Sequence, residues 1–286
     1  MGLIDLHTHS NASDGSLSPR ELVGYAGKKG AAAVALTDHD TIAGLSEALK
    51  AGEKWQLEVI PGLEISAEHP GGSMHILGYF VDPDDRNLQH EIATLQLARR
   101  ERNPKIIEKL RKLGIPIRYD QLQAIAKGQI GRPHIARVLV QIKAVGSLDE
   151  AFHKYLRKGA LAYVEKFRFT PEKALSVIRQ AGGLAVLAHP FTLNCASLKE
   201  LKRTVQDLKG LGLEGIEVFY TEHSTDQTRD YLTLTREMGL IATGGTDFHG
   251  ANKEGVDLLT GLGDLKIPYT ILENLKSRLK EIRTDK

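Results

Sequence analysis

The sequence predicts an α/β fold, a parallel β/α barrel interrupted by a helical insertion. Seven short runs rich in Val, Ile and Leu alternate with longer helical patterns, the rhythm of strands wrapped by helices. One internal stretch breaks that rhythm with helices alone. At 286 residues the chain is long enough for one such barrel, or for two ordinary domains.

The strand candidates are residues 3–6, 32–36, 58–63, 74–80, 184–187, 215–219 and 240–243. Runs this apolar are expected to be buried on both faces, as in a parallel sheet. Ser18-Pro19-Arg20-Glu21 supplies a capping residue, a proline at the first helical position and a glutamate three residues past the cap. Gly30 is a plausible stop for that helix. Further amphipathic patterns cover residues 41–55, 171–181, 198–211, 226–238 and 270–283. From about residue 95 to 169 long helical patterns run without a buried strand, punctuated by Pro104, Pro116 and Pro133. The expected division is therefore a barrel from 1–95 and 170–286, with 96–169 inserted as a lid.

Hydrophobic residues at 41% and charged residues at 26% make an ordinary globular balance and exclude wholesale disorder. No apolar run approaches the ~20 residues of a membrane helix, and no obligate protein partner is indicated. The start of the chain enters a strand directly, without a basic leader and cleavage site. A single cysteine, Cys195, rules out an intrachain disulfide and fits a reducing compartment, so a cytoplasmic location is expected. Net charge is +2, but its distribution is uneven. From Gln96 to Arg137 there are eleven Lys or Arg against three Asp or Glu, a net of +8 that leaves −6 elsewhere. A basic block in a mildly acidic protein can attract an anion, or can simply be a solvated helix face.

Histidine placement carries the chemistry. His7-Thr8-His9 closes the first strand run, and residues at i and i+2 point the same way. Asp14 lies in the loop beyond, His39 closes the second run and Glu64 follows the third. His75 lies on the fourth, His189 precedes Pro190 after the fifth, and Asp247-Phe248-His249 follows the last. Chemistry in β/α barrels gathers at the C-terminal ends of the strands. Six histidines and three carboxylates aimed at one rim point to a metal site rather than to packing. Gly244-Gly245 matches no nucleotide fingerprint and is expected to let the backbone pass close to the metals.

His7-x-His9, Asp14, Thr37-Asp38-His39, Glu64, His75, His189-Pro190 and Asp247-x-His249 together resemble the motif set of the PHP (polymerase and histidinol phosphatase) family. The resemblance covers both ends of the chain. It implies a distorted seven-stranded β/α barrel and a metal-dependent phosphoesterase with three divalent ions, Mn²⁺, Zn²⁺ or Fe²⁺. It further implies one metal on His7, His9, Glu64 and Asp247, a second on Glu64, His75 and His189, and a third on Asp14, His39 and His249. Asp14 fills a position that is histidine in some relatives. Gly131-Arg132-Pro133-His134 and the segment from Glu217 to His223 resemble the subgroup that acts on nucleotide phosphates. That subgroup includes 3′,5′-nucleoside bisphosphate phosphatases and trimming exoribonucleases. After His189-Pro190 many relatives of this type carry a basic residue, whereas this chain continues Phe191-Thr192-Leu193.

The substrate expected from these residues is a small phosphorylated molecule, a nucleotide or short RNA, hydrolysed by a metal-bound hydroxide. Three divalent ions bring +6 and the three carboxylates return −3, a surplus that favours an anionic substrate. Arg132 and His134 are candidates for phosphate contact, since a guanidinium matches phosphate oxygens in bidentate fashion. Tyr220 and His223 follow a strand and belong to the same rim, while Glu217 lies within that strand and reads as a structural pair. Asp38 faces away from His39 on an extended chain, so it is a candidate for hydrogen-bonding a ligand or shuttling a proton in catalysis, or for a role in the turn. Three rival readings are a histidinol-phosphate phosphatase, a non-catalytic metal-binding domain and an amidohydrolase-like barrel.

Overall fold

The computed structural model describes residues 2–126, 128 and 130–284. Seven strands lie side by side in sequence order: β1 (Ile4–Asp5), β2 (Ala33–Leu36), β3 (Glu58–Ala67), β4 (Met74–Tyr79), β5 (Leu184–Leu187), β6 (Gly215–Tyr220) and β7 (Ile241–Gly245). β1–β2–β3 and β5–β6–β7 pair in parallel, but β4 runs antiparallel to both neighbours. The all-parallel barrel expected from the sequence is thus corrected. The reason is length: only residues 68–73 separate β3 from β4, and a parallel return needs a crossover of at least ~10–12 residues. The turn contains Pro70-Gly71-Gly72, and His69 Nδ1 accepts the N–H groups of Gly71 and Gly72 at 3.3 Å.

The sheet curls until its ends meet, giving a nearly closed barrel. Leu6 N–H donates to the Gly244 carbonyl (3.3 Å), Asp247 N–H to the His7 carbonyl (2.9 Å) and His9 N–H to the Phe248 carbonyl (2.9 Å). Glycine is required at 245, where a Cβ would lie 2.2 Å from the Cβ of His7. The glycine pair expected to admit a close backbone approach does so at the seam of the barrel.

Helices α1 (Pro19–Lys28) and α2 (Leu45–Trp55) pack outside the first strands, and α1 carries the Ser18–Glu21 capping box read from the sequence. α3 (Arg86–Lys112), α4 (Tyr119–Ile125), α5 (Arg132–Gln141) and α6 (Leu148–Ala151) make the helical segment, closed by a π-turn at Phe152–Leu156. α7 (Pro171–Gln180), α8 (Leu198–Gly210), α9 (Thr225–Met238) and α10 (Thr270–Thr284) complete the outer layer. α3 belongs to both parts. Its Leu88, Ile92 and Leu95 join the barrel core, whereas Ile106, Ile107 and Leu110 join a separate core with Ile135, Leu139 and Leu156. Residue 96 therefore lies in mid-helix, and Pro104 sits inside α3 without ending it.

Buried Asp40 ties the two cores together. Its Oδ2 accepts from Arg99 of α3, from Lys166 on the returning segment and from Ser66 Oγ (3.1 Å), while Oδ1 accepts the Ser66 N–H at 2.8 Å. Burial alone would raise its pKa, but Lys166 and Arg99 hold it well below the usual carboxylate range. Removing one partner of a buried ion pair strands the remaining charges. Asp40→Ala should therefore destabilise the protein by roughly 3–5 kcal/mol, read as a lowered urea midpoint. A wild-type midpoint would show these ion pairs to be dispensable.

Candidate metal centre

Each ligand-type residue reaches the barrel mouth by a local device. His7 and His9 flank Thr8, whose N–H donates to Thr37 Oγ1 (3.1 Å) and whose hydroxyl donates to the Ala35 carbonyl (2.6 Å). With Thr8 pinned to β2, both imidazoles face inward. Glu64 lies inside β3 rather than beyond it, opposite Leu77 of β4. His75 is the second residue of β4, and because that strand is reversed its beginning, not its end, lies at the mouth. His189 and Asp247 adopt positive φ, 24° and 57°, a region rare for non-glycine residues and concentrated at functional sites.

All nine predicted ligand residues converge. His7 Nε2 lies 3.4 Å from Glu64 Oε2 and 3.3 Å from Asp247 Oδ1, and His9 Nε2 lies 3.3 and 3.1 Å from the same atoms. The other oxygen of Glu64 meets His75 Nδ1 at 2.8 Å and His189 Nε2 at 3.0 Å. Asp14 approaches His249 Nε2 at 3.2 Å and His39 Nε2 at 3.9 Å. His39 also turns Nδ1 to Glu64 Oε2 at 2.8 Å, so it stands between two of the expected clusters. Four overlapping groups can hold an ion: His9, Asp14, His39 and His249; His7, Glu64 and His189; His7, His9 and Asp247; His39, Glu64 and His75.

Supporting contacts fix which nitrogen faces inward. Glu217 Oε1 accepts from His7 Nδ1 at 2.8 Å, and its other oxygen accepts the His189 N–H at 2.8 Å. His189 Nδ1 meets Thr192 Oγ1 (3.1 Å) and His249 Nδ1 meets the Asp247 carbonyl (2.8 Å), leaving Nε2 of each for an ion. Glu217, read as structural, is thus the residue that orients His7. Lys253, unmarked in the sequence, donates to Asp247 Oδ2 (2.9 Å) and Glu222 (3.1 Å), beside the Tyr220 hydroxyl at 3.0 Å. Asp5 is fully buried and accepts from Thr246 N–H and Oγ1 and from the Leu259 N–H, anchoring the loop that carries Asp247.

Several expected roles change. Asp38, a catalytic candidate, spends both carboxylate oxygens on Ser10 N–H (2.8 Å), Ser10 Oγ (2.6 Å) and Ser13 Oγ (2.5 Å). These bonds shape the loop between His9 and Asp14, the turn role that the sequence also allowed. His134, a substrate candidate, is buried at the start of α5, where its Nδ1 accepts the Gly131 N–H at 3.1 Å. His223 Nδ1 donates to the Val218 carbonyl at 2.9 Å, and its ring is wedged between Phe191 and Tyr231. Tyr220 does line the mouth, but its hydroxyl serves Asp247 at 2.9 Å. Arg132 lines the smaller cavity on the flank of the cluster.

Two cavities adjoin the cluster. A cleft of about 900 Å³ opens over His39, His75, His189, Asp247 and His249. A cavity of about 160 Å³ on the flank is lined by Arg99, Arg102, Arg132, Lys166 and Arg168 with Asp14, His39 and His75.

The donor set fits divalent ions. Both ring nitrogens of His9 and Nδ1 of His75 are buried without a properly directed hydrogen bond, although carboxylate oxygens stand close. Contacts of that kind suit ligands grouped around an ion. Burial would lower the pKa of His9, but Asp247 and Glu64 push it up to about 10, the mark of a strongly anionic surrounding. Burial instead takes His75 down to about 4, against the pull of Glu64. Mixed imidazole and carboxylate donors are those of Mn, Fe and Zn sites.

A barrel whose mouth gathers six imidazoles and three carboxylates is the architecture of a metal-dependent hydrolase. The chain belongs to the PHP family: residues 5–157 match its PHP domain. It is 38% identical to a 5′-3′ exoribonuclease of Haemophilus influenzae over 245 residues, 86% of this chain and 89% of the relative. It is 34% identical to a 3′,5′-nucleoside bisphosphate phosphatase of Chromobacterium violaceum, across 90% of this chain and 91% of the relative. A crystal structure from Bifidobacterium adolescentis, proposed as a metal-dependent phosphoesterase, superposes with a TM-score of 0.86 at 30% identity over 96% of both chains. The protein is accordingly a metal-dependent phosphoesterase, a hydrolase of phosphoric ester bonds. No helix among the described residues is long and apolar enough to cross a membrane.

Two outcomes follow from the centre itself. Losing the partner that orients a ligand histidine typically costs 10–100-fold in metal affinity, so Glu217→Gln should weaken Mn²⁺ binding by roughly that factor in chelator competition. Histidine ligands bind metal in their neutral form, so apparent metal affinity should rise with pH. Calorimetry in buffers of different ionisation enthalpy should register proton release at pH 7; uptake, or no transfer, would contradict the charge balance.

Proposed function

We propose that the nine converging side chains hold three divalent ions and that the substrate is a nucleotide bearing two phosphoryl groups. The candidates are a nucleoside 3′,5′-bisphosphate or the 5′-phosphorylated end of a short RNA. Divalent ions at this centre supply positive charge to one phosphate and lower the pKa of water towards ~7. The protein supplies the rest. Glu217, Thr192 and the Asp247 carbonyl hold the histidines in place, while Lys253 and Tyr220 hold the outer oxygen of Asp247. The segment 96–169 serves as the lid that carries the second anion site, and the lone Cys195 fits work in a reducing cytoplasm.

One observation carries the substrate class: Arg102, 4% exposed, lines the flanking cavity with its Nε unpartnered. Asp40 engages Arg99 and Lys166, and Glu165 engages Arg168. Among the described residues neither Arg102 nor Arg132 has a carboxylate in ion-pair reach. Burial, and then Arg99, Arg132 and Arg168, take the Arg102 pKa down to about 9. A buried guanidinium in that state is relieved by an anion, and its fork matches phosphate. The cavity, at about 160 Å³, suits one phosphoryl group and is too small for a nucleoside. Histidinol phosphate, with a single phosphate, leaves it empty.

A hydrolysis screen with Mn²⁺, reading phosphate release from the small esters and 5′-mononucleotide release from RNA, should rank 3′,5′-bisphosphates and 5′-phosphorylated oligoribonucleotides above 3′-mononucleotides and histidinol phosphate. Arg102→Met should lower kcat/KM on the bisphosphate by roughly 10–100-fold, the size of a charged hydrogen bond. The same variant should unfold at no lower temperature than wild type, because it removes an uncompensated buried charge. Equal turnover of mono- and bisphosphates by the wild type would sink the reading.

A further inference from the structure

The flanking cavity and the open cleft share His39, His75, Asp14, Pro133 and Phe152 in their walls, so they meet over the metal cluster. A nucleotide with one phosphate at the metals and another among the arginines must put its base elsewhere. Of these two cavities only the cleft, at about 900 Å³, has the room. Its lining combines the ligand-type residues and a few further charges with a set of apolar side chains. Val140, Leu148 and Phe152 come from the helical segment, and Phe191, Val256 and Leu262 come from the barrel loops.

Both phenylalanine rings are held before any ligand arrives. Phe152 opens the π-turn, a backbone irregularity frequent at functional sites. The Arg132 guanidinium sits 5.9 Å from its ring centroid and donates to the Leu156 carbonyl at 3.0 Å, bracing the two ends of the turn. Phe191 leans edge-on against His223, with centroids 5.5 Å apart and planes at 89°. His223 in turn is fixed by the Val218 carbonyl and by the ring of Tyr231 at 4.9 Å. Each phenylalanine is only partly buried and borders the cleft. Rigid aromatic rings left open to a wet cleft are stacking platforms for planar groups.

We infer that Phe152 and Phe191 seat the base of the nucleotide, an inference that rests on the phosphoester reading of the metal centre. His223 is then a positioning residue that acts through Phe191, and Arg132 both faces the second phosphate and props Phe152. Stacking is sequence-tolerant, because every base has a π-face. The site therefore distinguishes nucleotides from sugar phosphates without choosing strongly among bases.

The test is calorimetric titration of the Mn²⁺-loaded protein with AMP and with ribose 5-phosphate, which carry the same phosphate and sugar and differ by the base. Wild type should bind AMP at least about tenfold more tightly, the scale of one base–aromatic contact. Phe152→Leu and Phe191→Leu should each shrink that ratio several-fold, while Phe191→Trp should preserve it. General damage to the cleft lowers both affinities together and leaves the ratio unchanged. Equal affinities in the wild type, or an unaltered ratio in both leucine variants, would overturn the assignment. Failure of the phosphoester reading registers separately, as absence of hydrolysis of every ester in the screen.

Discussion

Five imidazoles, those of His7, His9, His39, His75 and His189, close on the single buried carboxylate of Glu64. Neither a bare carboxylate nor a set of bare imidazoles is tolerable at that depth, since ions taken from water need compensation. Divalent ions held by this donor set would supply it. The reversed strand β4, the positive φ of Asp247 and the close pass of Gly245 against His7 all bring donors to that point. The backbone accepts locally unfavourable geometry there because the surrounding hydrogen bonds over-determine it.

The helical segment adds a second field of charge. Its basic residues are neither uniformly solvated nor uniformly paired. Asp40 takes two cations and in doing so clamps both ends of the segment to the barrel, one residue away from His39. Arg102 and Arg132 are left facing the cavity beside the metals. One carboxylate thus performs the mechanical task, and the cations it does not reach are the ones available to an anion. The same segment keeps its own hydrophobic core, which allows it to hold those arginines rigidly above the mouth.

Polarity across the mouth then gives a substrate a direction. Arginines crowd the flanking cavity, whereas the open cleft carries the phenylalanine rings. The ligand-type residues Asp14, His39 and His75 border both. A molecule with phosphate at one end and a planar group at the other fits that gradient in a single orientation, which is how binding energy remote from the reacting bond positions it.

The strand count, the capped first helix and the gathering of nine ligand-type residues at one rim were legible in the sequence, because apolar period, cap chemistry and i, i+2 spacing are local properties. The reversed β4 was legible in principle: the turn at Pro70-Gly71-Gly72 is too short for a crossover, but the apolar run of the strand itself says nothing about direction. The roles of Asp38, His134, His223 and Glu217 depended on partners 28, 3, 5 and 210 residues away. Residue type and position could name them as polar groups near the mouth, but not say what each would touch. Arg102, Lys166 and Lys253 were not singled out in the sequence for the same reason. Only the closed barrel, by burying some of these groups and leaving others a cavity, decided which became supports and which remained free to meet a ligand.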